Sequence, residues 1–331
     1  MKNILNRLIN QENISSEEAK NILVNISKDH YNQSQIASFL TVFMMRSITL
    51  EELQGFRDAL LELCIPIDLS EFNAIDLCGT GGDGKDTFNI STLSSFVTAG
   101  AGVKVTKHGN YGVSSACGSS NVMEYLGVKF TSNKSFLQKT IDKAGICILH
   151  APLFHPAMKN VAPIRKALGV KTFFNMLGPM VNPSFPKNQM VGVFNLELQR
   201  LYSYLYQNTN KNYSIVHALD GYDEISLTGN TKIISNTTET MLTPKDLKVE
   251  QIEQYDIFGG DTVESSAKIF VDIINGEGTE AQNNVVYANA GLAIATVEQI
   301  THKDGFELAK ESLMSGKAKN SLNTLIELSR K

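Results

Sequence analysis

The sequence predicts an α/β protein in two parts: a small N-terminal helical domain and a large α/β domain on a mostly parallel central sheet. Three observations predict it. Residues 1 to about 66 carry helical periodicity and no strand pattern. From about residue 70, buried strand-like runs alternate with helical ones, the pattern of β-α-β units in a parallel sheet. Six of the eight prolines fall within 151–188, which marks a hinge and a return to the helical part. The expected division is 1–66 with about 160–188 for the helical domain, and 70–159 with 189–331 for the α/β domain.

In the helical part, Ser15 or Ser16 can cap a helix opening with Glu17 and Glu18, and Thr49 before Glu51 and Glu52 is a second start signal. Apolar residues recur at helical spacing through Ile36, Phe39, Leu40 and Phe43, and again through Leu50, Leu53, Phe56 and Leu60. A strand at 74–78 runs into a glycine cluster, a helix follows at 91–101, and a second strand at 103–106. Further strands are expected at 146–149, 190–194 and 214–219, with a helix at about 196–207. The polar segment 224–258 reads as an antiparallel edge. Helices are expected at about 264–275, 279–296, 303–315 and 320–330.

The chain of 331 residues is 42% hydrophobic and 19% charged, with a net charge of -4. That balance has no basic surplus for nucleic acid. No apolar run reaches the roughly eighteen residues of a membrane span. The opening MKNILNRLINQENISSEEAK has neither a long apolar region nor a small-residue cleavage site, so a cytoplasmic location is expected. Cys64, Cys78, Cys117 and Cys147 are widely spaced and read as reduced thiols.

Three segments carry chemistry. The first, CGTGGDGKDTFNIST, sits between strand and helix, where free backbone N–H groups can hold an anion. Gly79, Gly81 and Gly84 satisfy the dinucleotide pattern GxGxxG, but Lys107 and His108 stand where that motif expects an acid. Gly79 to Lys85 nearly forms a P-loop, yet Asp86 replaces the metal-binding Ser or Thr. Asp83 and Asp86 count against a bare nucleotide cradle, since a carboxylate about 4 Å from phosphate costs about 4 kcal/mol per unit charge at an effective dielectric of 20. A third reading is a site for a sugar carrying diphosphate, with Thr87, Asn89, Ser91 and Thr92 adding polar contacts. A ligand-free glycine turn is the plain alternative.

The second segment, KHGNYGVSSACGSS, offers Lys107 as a cation, Gly109 for close backbone approach, and hydroxyls at Ser114, Ser115, Ser119 and Ser120. In a parallel sheet it leaves a carboxyl end beside the glycine loop, so the pair suits a ligand with two phosphate groups. The third is Asp223–Glu224 after a strand and Gly221. Adjacent carboxylates at a strand end make a hard-cation site when phosphate supplies further oxygens, as magnesium is usually held. Their side chains diverge, so one ion each is easier than one shared. Taken singly, His108 reads first as a structural hydrogen-bonder and the acidic pair first as a solvated turn; Lys107 and Asn110 bring His108 level, and the two phosphate loops tip the acidic pair toward a metal.

Together these segments resemble the anthranilate phosphoribosyltransferase family. The likeness covers nearly the whole chain: GTGGDG, NIST, KHGN, the HPAMK and APIRKALG stretch, FNMLGP and the DE pair, in that order. The resemblance implies the nucleoside phosphorylase and phosphoribosyltransferase fold class. It implies a homodimer through the helical domain, an active site in the cleft between domains, and two magnesium ions per monomer. It implies transfer of phosphoribosyl from 5-phosphoribosyl 1-diphosphate to the anthranilate amine, in tryptophan biosynthesis.

By motif, the diphosphate sugar falls to Gly79, Gly82, Asp83, Thr87, Asn89, Ile90, Ser91, Thr92, Lys107, His108, Gly109, Asn110, Tyr111, Gly112, Val113, Ser114, Ser115 and Ser119. Anthranilate falls to Gly79, Asn110 and Arg165, and the metal to Ser91, Asp223 and Glu224. Lys107, His108, Asp223 and Glu224 are the expected catalytic group. A guanidinium at Arg165 independently suits a carboxylate through two parallel hydrogen bonds. The chain departs from the commonest pattern at Tyr111, Ala116, Ser120–Asn121 and Lys171. Rival readings are a pyrimidine nucleoside phosphorylase, a non-catalytic regulator on the same fold, and a nicotinamide dehydrogenase.

Overall fold

The computed structural model describes residues 1–112 and 117–330. The chain divides into two compact units, Met1–Pro66 with Ala151–Pro183, and Ile67–His150 with Ser184–Lys331.

The first unit is helical: α1 (Lys2–Ile9), α2 (Ser16–Ser27), α3 (Gln33–Met45), α4 (Leu50–Leu63), then α8 (Ala151–Phe154) and α9 (Ala162–Leu168) after the excursion through the other unit. Ser15, Asn32 and Thr49 cap α2, α3 and α4 in capping boxes, each side chain accepting from the third helical N–H. The buried faces meet in an aromatic cluster: Phe56 stacks on Phe173 at 4.4 Å, with Phe39 and Phe43 edge-on around them. The return begins at Ala151, earlier than the expected 160. Phe154 is buried and its carbonyl accepts from the Ile65 N–H, while Asn160 donates to the Ser27 carbonyl, so 151–159 packs with the helices. It also ends earlier, at Pro183, because Ser184 onward leads into a strand.

The second unit holds a seven-stranded sheet of order β3-β2-β1-β4-β5-β6-β7. Its strands are β1 (Ile75–Gly79), β2 (Val105–Gly109), β3 (Ile146–His150), β4 (Asn188–Gly192), β5 (Asn212–Ala218), β6 (Thr231–Ser235) and β7 (Glu239–Leu242). The first five pair in parallel, and β6 and β7 add an antiparallel edge, as the 224–258 segment predicted. Three strands are displaced from their expected positions, β5 among them, which starts at Asn212 and not at 214. β2 runs to Gly109 instead of stopping at Thr106, so Lys107 and His108 are strand residues and not loop residues. β4 starts at Asn188, two residues early; Asn188 and Gln189 are polar yet buried, because Asn73, Asp76 and Tyr206 satisfy them.

The helices of this unit are α5 (Ile90–Gly100), α6 (Ser119–Tyr125), α7 (Lys134–Ala144), α10 (Leu196–Gln207), α11 (Val263–Ile274), α12 (Glu280–Glu298), α13 (His302–Met314) and α14 (Lys317–Arg330). Residues Val285 to Thr296 of α12 are buried without interruption, and that helix packs on α5, α13, β4 and β5. A helix apolar all round belongs in the centre of a core. Parallel pairing of β1 with β2 and β4 brings their carboxyl ends, and the loops that leave them, to one rim.

Candidate active site

At that rim β1 ends in Gly79, and the following loop turns through left-handed backbone at Gly81 and Gly82, with φ of 62° and 74°. Only glycine takes such torsions without strain, and two in succession swing the backbone N–H groups out of the strand direction. The Gly81 N–H donates 2.7 Å to Oδ2 of Asp223. Asp223 needs small neighbours: a Cβ at Gly79 would overlap its carboxylate and one at Gly192 its carbonyl. Glu224 turns the other way, and its Oε1 accepts 3.1 Å from the Ser91 N–H in the first turn of α5. A carboxylate is favoured there by the helix dipole. The two acidic side chains therefore diverge, one on each side of the loop's mouth. Asn289, buried in α12, fixes the backbone behind them by accepting from the Ile225 N–H and donating to the Ile225 carbonyl.

The carboxyls carry an electrostatic load. Burial pushes Asp223 up to about 7, and the neighbouring Asp83 charge adds to it. Glu224 lies well above the usual carboxylate range, through burial first and the charges of Asp223 and Asp83 second. Burial raises Asp83 too, although its Oδ1 accepts from the Lys85 N–H at 3.0 Å. Three carboxyls crowded into low dielectric favour protonation unless a cation joins them. Among the described residues no group of three or more His, Cys, Asp or Glu is arranged to hold a metal unaided. Ser91, Gly79, Gly192, Asp223 and Glu224 line one small recess.

Lys107 is buried, its ammonium donating 2.6 Å to the Leu77 carbonyl and 3.4 Å to Ser91 Oγ. Burial lowers its pKa, while Asp76 and Glu224 oppose that. Thr87 bridges to Phe258, Asn89 donates to the Cys117 carbonyl, and Ile90 and Thr92 are buried in the first turn of α5. Lys85 lies over the Tyr222 ring, 4.6 Å from its centroid. Past β2, the Asn110 carbonyl accepts from Ser120 N–H and Ser119 Oγ, and its side chain accepts from the Tyr111 N–H. Val113, Ser114, Ser115 and Ala116 lie outside the described residues. In the helical unit, the Arg165 guanidinium donates to Asn175 Oδ1 at 3.2 Å and rests over the Phe174 ring.

Asp76 went unread in the sequence, as did Asn289. Asp76 is fully buried, and its Oδ1 accepts from the His108 N–H at 3.1 Å. The signal was present: a carboxylate inside the apolar run AIDLC has to be held by something.

The helical part matches the helical bundle domain of the glycosyl transferase family over residues 2–64, and the remainder matches that family's a/b domain over residues 71–319. The anthranilate phosphoribosyltransferase of Flavobacterium psychrophilum is 73% identical over 99% of this chain and 100% of its own length. The chain belongs to the anthranilate phosphoribosyltransferase family. The enzyme of that name from Bacteroides thetaiotaomicron is 53% identical over the full length of both chains. The crystal structure of the Thermus thermophilus anthranilate phosphoribosyltransferase superposes with a TM-score of 0.91 at 30% identity, covering 99% of each chain. The Saccharomyces cerevisiae anthranilate phosphoribosyltransferase, solved in complex with PRPP and Mg, gives 0.90 at 27% identity over 98% of this chain and 96% of that one.

Tyr111, Ser120 and Asn121 each make contacts close to the end of β2. The Tyr111 hydroxyl donates to Glu124, its ring meets His150 edge-on at 4.8 Å, and Ser120 Oγ lies 2.9 Å from His150 Nδ1. Asn121 Oδ1 accepts from the N–H groups of Gly112 and Gly118.

Proposed function

We infer that this chain transfers the phosphoribosyl group of 5-phosphoribosyl 1-diphosphate to the amine of anthranilate, releasing diphosphate, as a step of tryptophan biosynthesis. The observation that carries the reading is the crowded acidic group at Asp83, Asp223 and Glu224, set against glycine-loop amides at the end of β1.

That donor set fits magnesium: hard oxygens from Asp223, Glu224 and Ser91, with both carboxyls raised in pKa first by burial and then by neighbouring carboxylate charge, a load that a cation would relieve. The yeast relative's complex with PRPP and Mg supports the same reading. We take two ions per monomer, one at each diverging carboxylate. Magnesium at these carboxylates would supply charge neutralisation for the departing diphosphate.

The other steps belong to the chain's own groups. The Gly82 amide and the hydroxyls near Thr87, Ser91 and Thr92 hold the diphosphate, while the Gly81 amide stays on Asp223. Lys107 keeps a cation beneath it, and His108 and Gly109 at the end of β2, with Asn110 just after it, lie along the phosphoribosyl group. Arg165 holds the anthranilate carboxylate by two parallel hydrogen bonds, and Gly79 and Asn110 stand at the family's anthranilate positions. As diphosphate leaves, the ribose C1 gains oxocarbenium character and the amine attacks it. An aromatic amine is a free base at neutral pH, so positioning contributes more than proton abstraction.

The protein is further proposed to act in the cytoplasm as a homodimer through its helical unit, with no nucleic-acid or membrane partner. No helix among the described residues is long and apolar enough to cross a membrane. The direct test is loss of anthranilate fluorescence on mixing with 5-phosphoribosyl 1-diphosphate, with and without magnesium. Undiminished fluorescence in both cases refutes the reading, and phosphate-dependent cleavage of thymidine or uridine would favour the nucleoside phosphorylase alternative.

A further inference from the structure

β1 shares two seams with its neighbours, and they differ. Against β4 the pairing continues through five residues, from Ile75↔Asn188 to Gly79↔Gly192. Against β2 it registers only at Ile75↔Val105, although β2 itself continues in register with β3 as far as Gly109. Past that single pair the β1–β2 seam is bridged by side chains. The His108 N–H donates to Asp76 Oδ1, and the Leu77 carbonyl accepts the Lys107 ammonium. These are the backbone groups that would meet each other if the parallel ladder continued.

Asp76 reaches further than this seam. Its Oδ2 accepts from Gln189 Nε2 on β4 at 3.4 Å, and Gln189 Oε1 accepts from the Tyr206 hydroxyl of α10 at 2.8 Å. All of these residues are buried. A buried carboxylate costs several kcal/mol unless hydrogen bonds compensate, so its place in an otherwise apolar strand calls for a structural role.

We propose that Asp76 is a positioning residue for phosphoribosyl transfer, tying the Lys107–Asn110 end of β2 to β1 and β4 and so setting the spacing between the two loops that hold the diphosphate. The role rests on the substrate reading given above. Asp76 touches no substrate; it acts through the His108 backbone. The side-chain bridge replaces a fixed ladder distance with a carboxylate's, and the loop beyond it inherits that offset.

The test is Asp76→Asn, measured beside Asp76→Asn/Gln189→Glu. The single change keeps the shape and removes the charge. The KM for 5-phosphoribosyl 1-diphosphate is expected to rise about tenfold and that for anthranilate to stay within about twofold, the pattern of loops displaced at one substrate's site and not at the other's. The double variant moves the carboxylate one strand over, where the new amide on β1 and the Tyr206 hydroxyl can both donate to it, and is expected to recover most of the loss. Tyr206→Phe cuts the same network at its outer end and is expected to raise the same KM about two- to threefold, which keeps the test open if Asp76→Asn folds poorly. Wild-type turnover with an unaltered diphosphate-sugar KM in these variants, or equal rises for both substrates, overturns the role of Asp76 alone. A wild type that consumes no anthranilate overturns the substrate reading, and this role with it.

Discussion

Gly81 and Asp223 are 142 residues apart in the chain, yet the amide of one donates to the carboxylate of the other at 2.7 Å. The bond joins the glycine loop after β1 to the acidic turn after β5. It also orients Asp223 toward the loop's mouth, while Glu224 is drawn to the Ser91 N–H. A cation arriving with a diphosphate would find its protein oxygens already separated and its phosphate oxygens facing the loop amides.

Replacing both acids, Asp223→Asn with Glu224→Gln, is expected to lower turnover by a factor of about 100 or more, since charge stabilisation of this kind is commonly worth about 2.7–4 kcal/mol. The fold should persist, because an amide oxygen still accepts from Gly81 and Ser91. Steady-state rates at saturating magnesium, with a circular dichroism melt, decide it; near-normal turnover would contradict the metal role.

The same carboxyls make stability depend on pH. The folded value for Asp223 is raised to about 7, above its ordinary 3.8. A raised carboxyl contributes stability that is fully present below the unfolded value, and it is lost as pH rises through the folded one. In chelator the melting temperature should therefore fall between about pH 4 and pH 7, each kcal/mol lost lowering it by about 2–4 °C. Burial lowers His150, His155 and His302, which act in the opposite direction, so the quantity to compare is the slope in wild type against Asp223→Asn. Identical slopes would remove Asp223 from this titration, whereas added magnesium is expected to flatten the wild-type curve.

Arg165→Ala should raise the anthranilate KM by about 10-fold or more, the worth of a charge-assisted bond, and the diphosphate-sugar KM far less. Lysine should rescue poorly, because a point charge cannot reproduce the planar fork now resting on Phe174 and Asn175. An unchanged anthranilate KM would take Arg165 out of the site.

Glu52 is fully buried in the helical unit, 2.9 Å from Arg46, and also accepts from the Ile14 and Thr49 N–H groups. Removing one partner of such a pair leaves an uncompensated charge, so Glu52→Ala should destabilise that unit by about 3–5 kcal/mol in urea titrations. A cost below about 1 kcal/mol would show that water reaches Arg46.

Local pattern made much of this legible in the residues themselves. Capping signals at Ser15 and Thr49, apolar spacing along α3 and α4, and the helix at Leu196–Gln207 were readable because they depend on neighbours a few positions away. The glycine run, KHGN and the acidic pair were readable as chemistry for the same reason. What only the tertiary structure decided is where long-range partners meet. β2 outruns its expected end because β3 pairs with it as far as Gly109, and β4 begins early because Tyr206 and Asn73 satisfy buried amides. The boundary of the return segment, the separation of Asp223 from Glu224, and the raised carboxyl pKa values likewise depend on burial among groups far apart in the chain, since desolvation is a property of packed surroundings and not of any short run of residues.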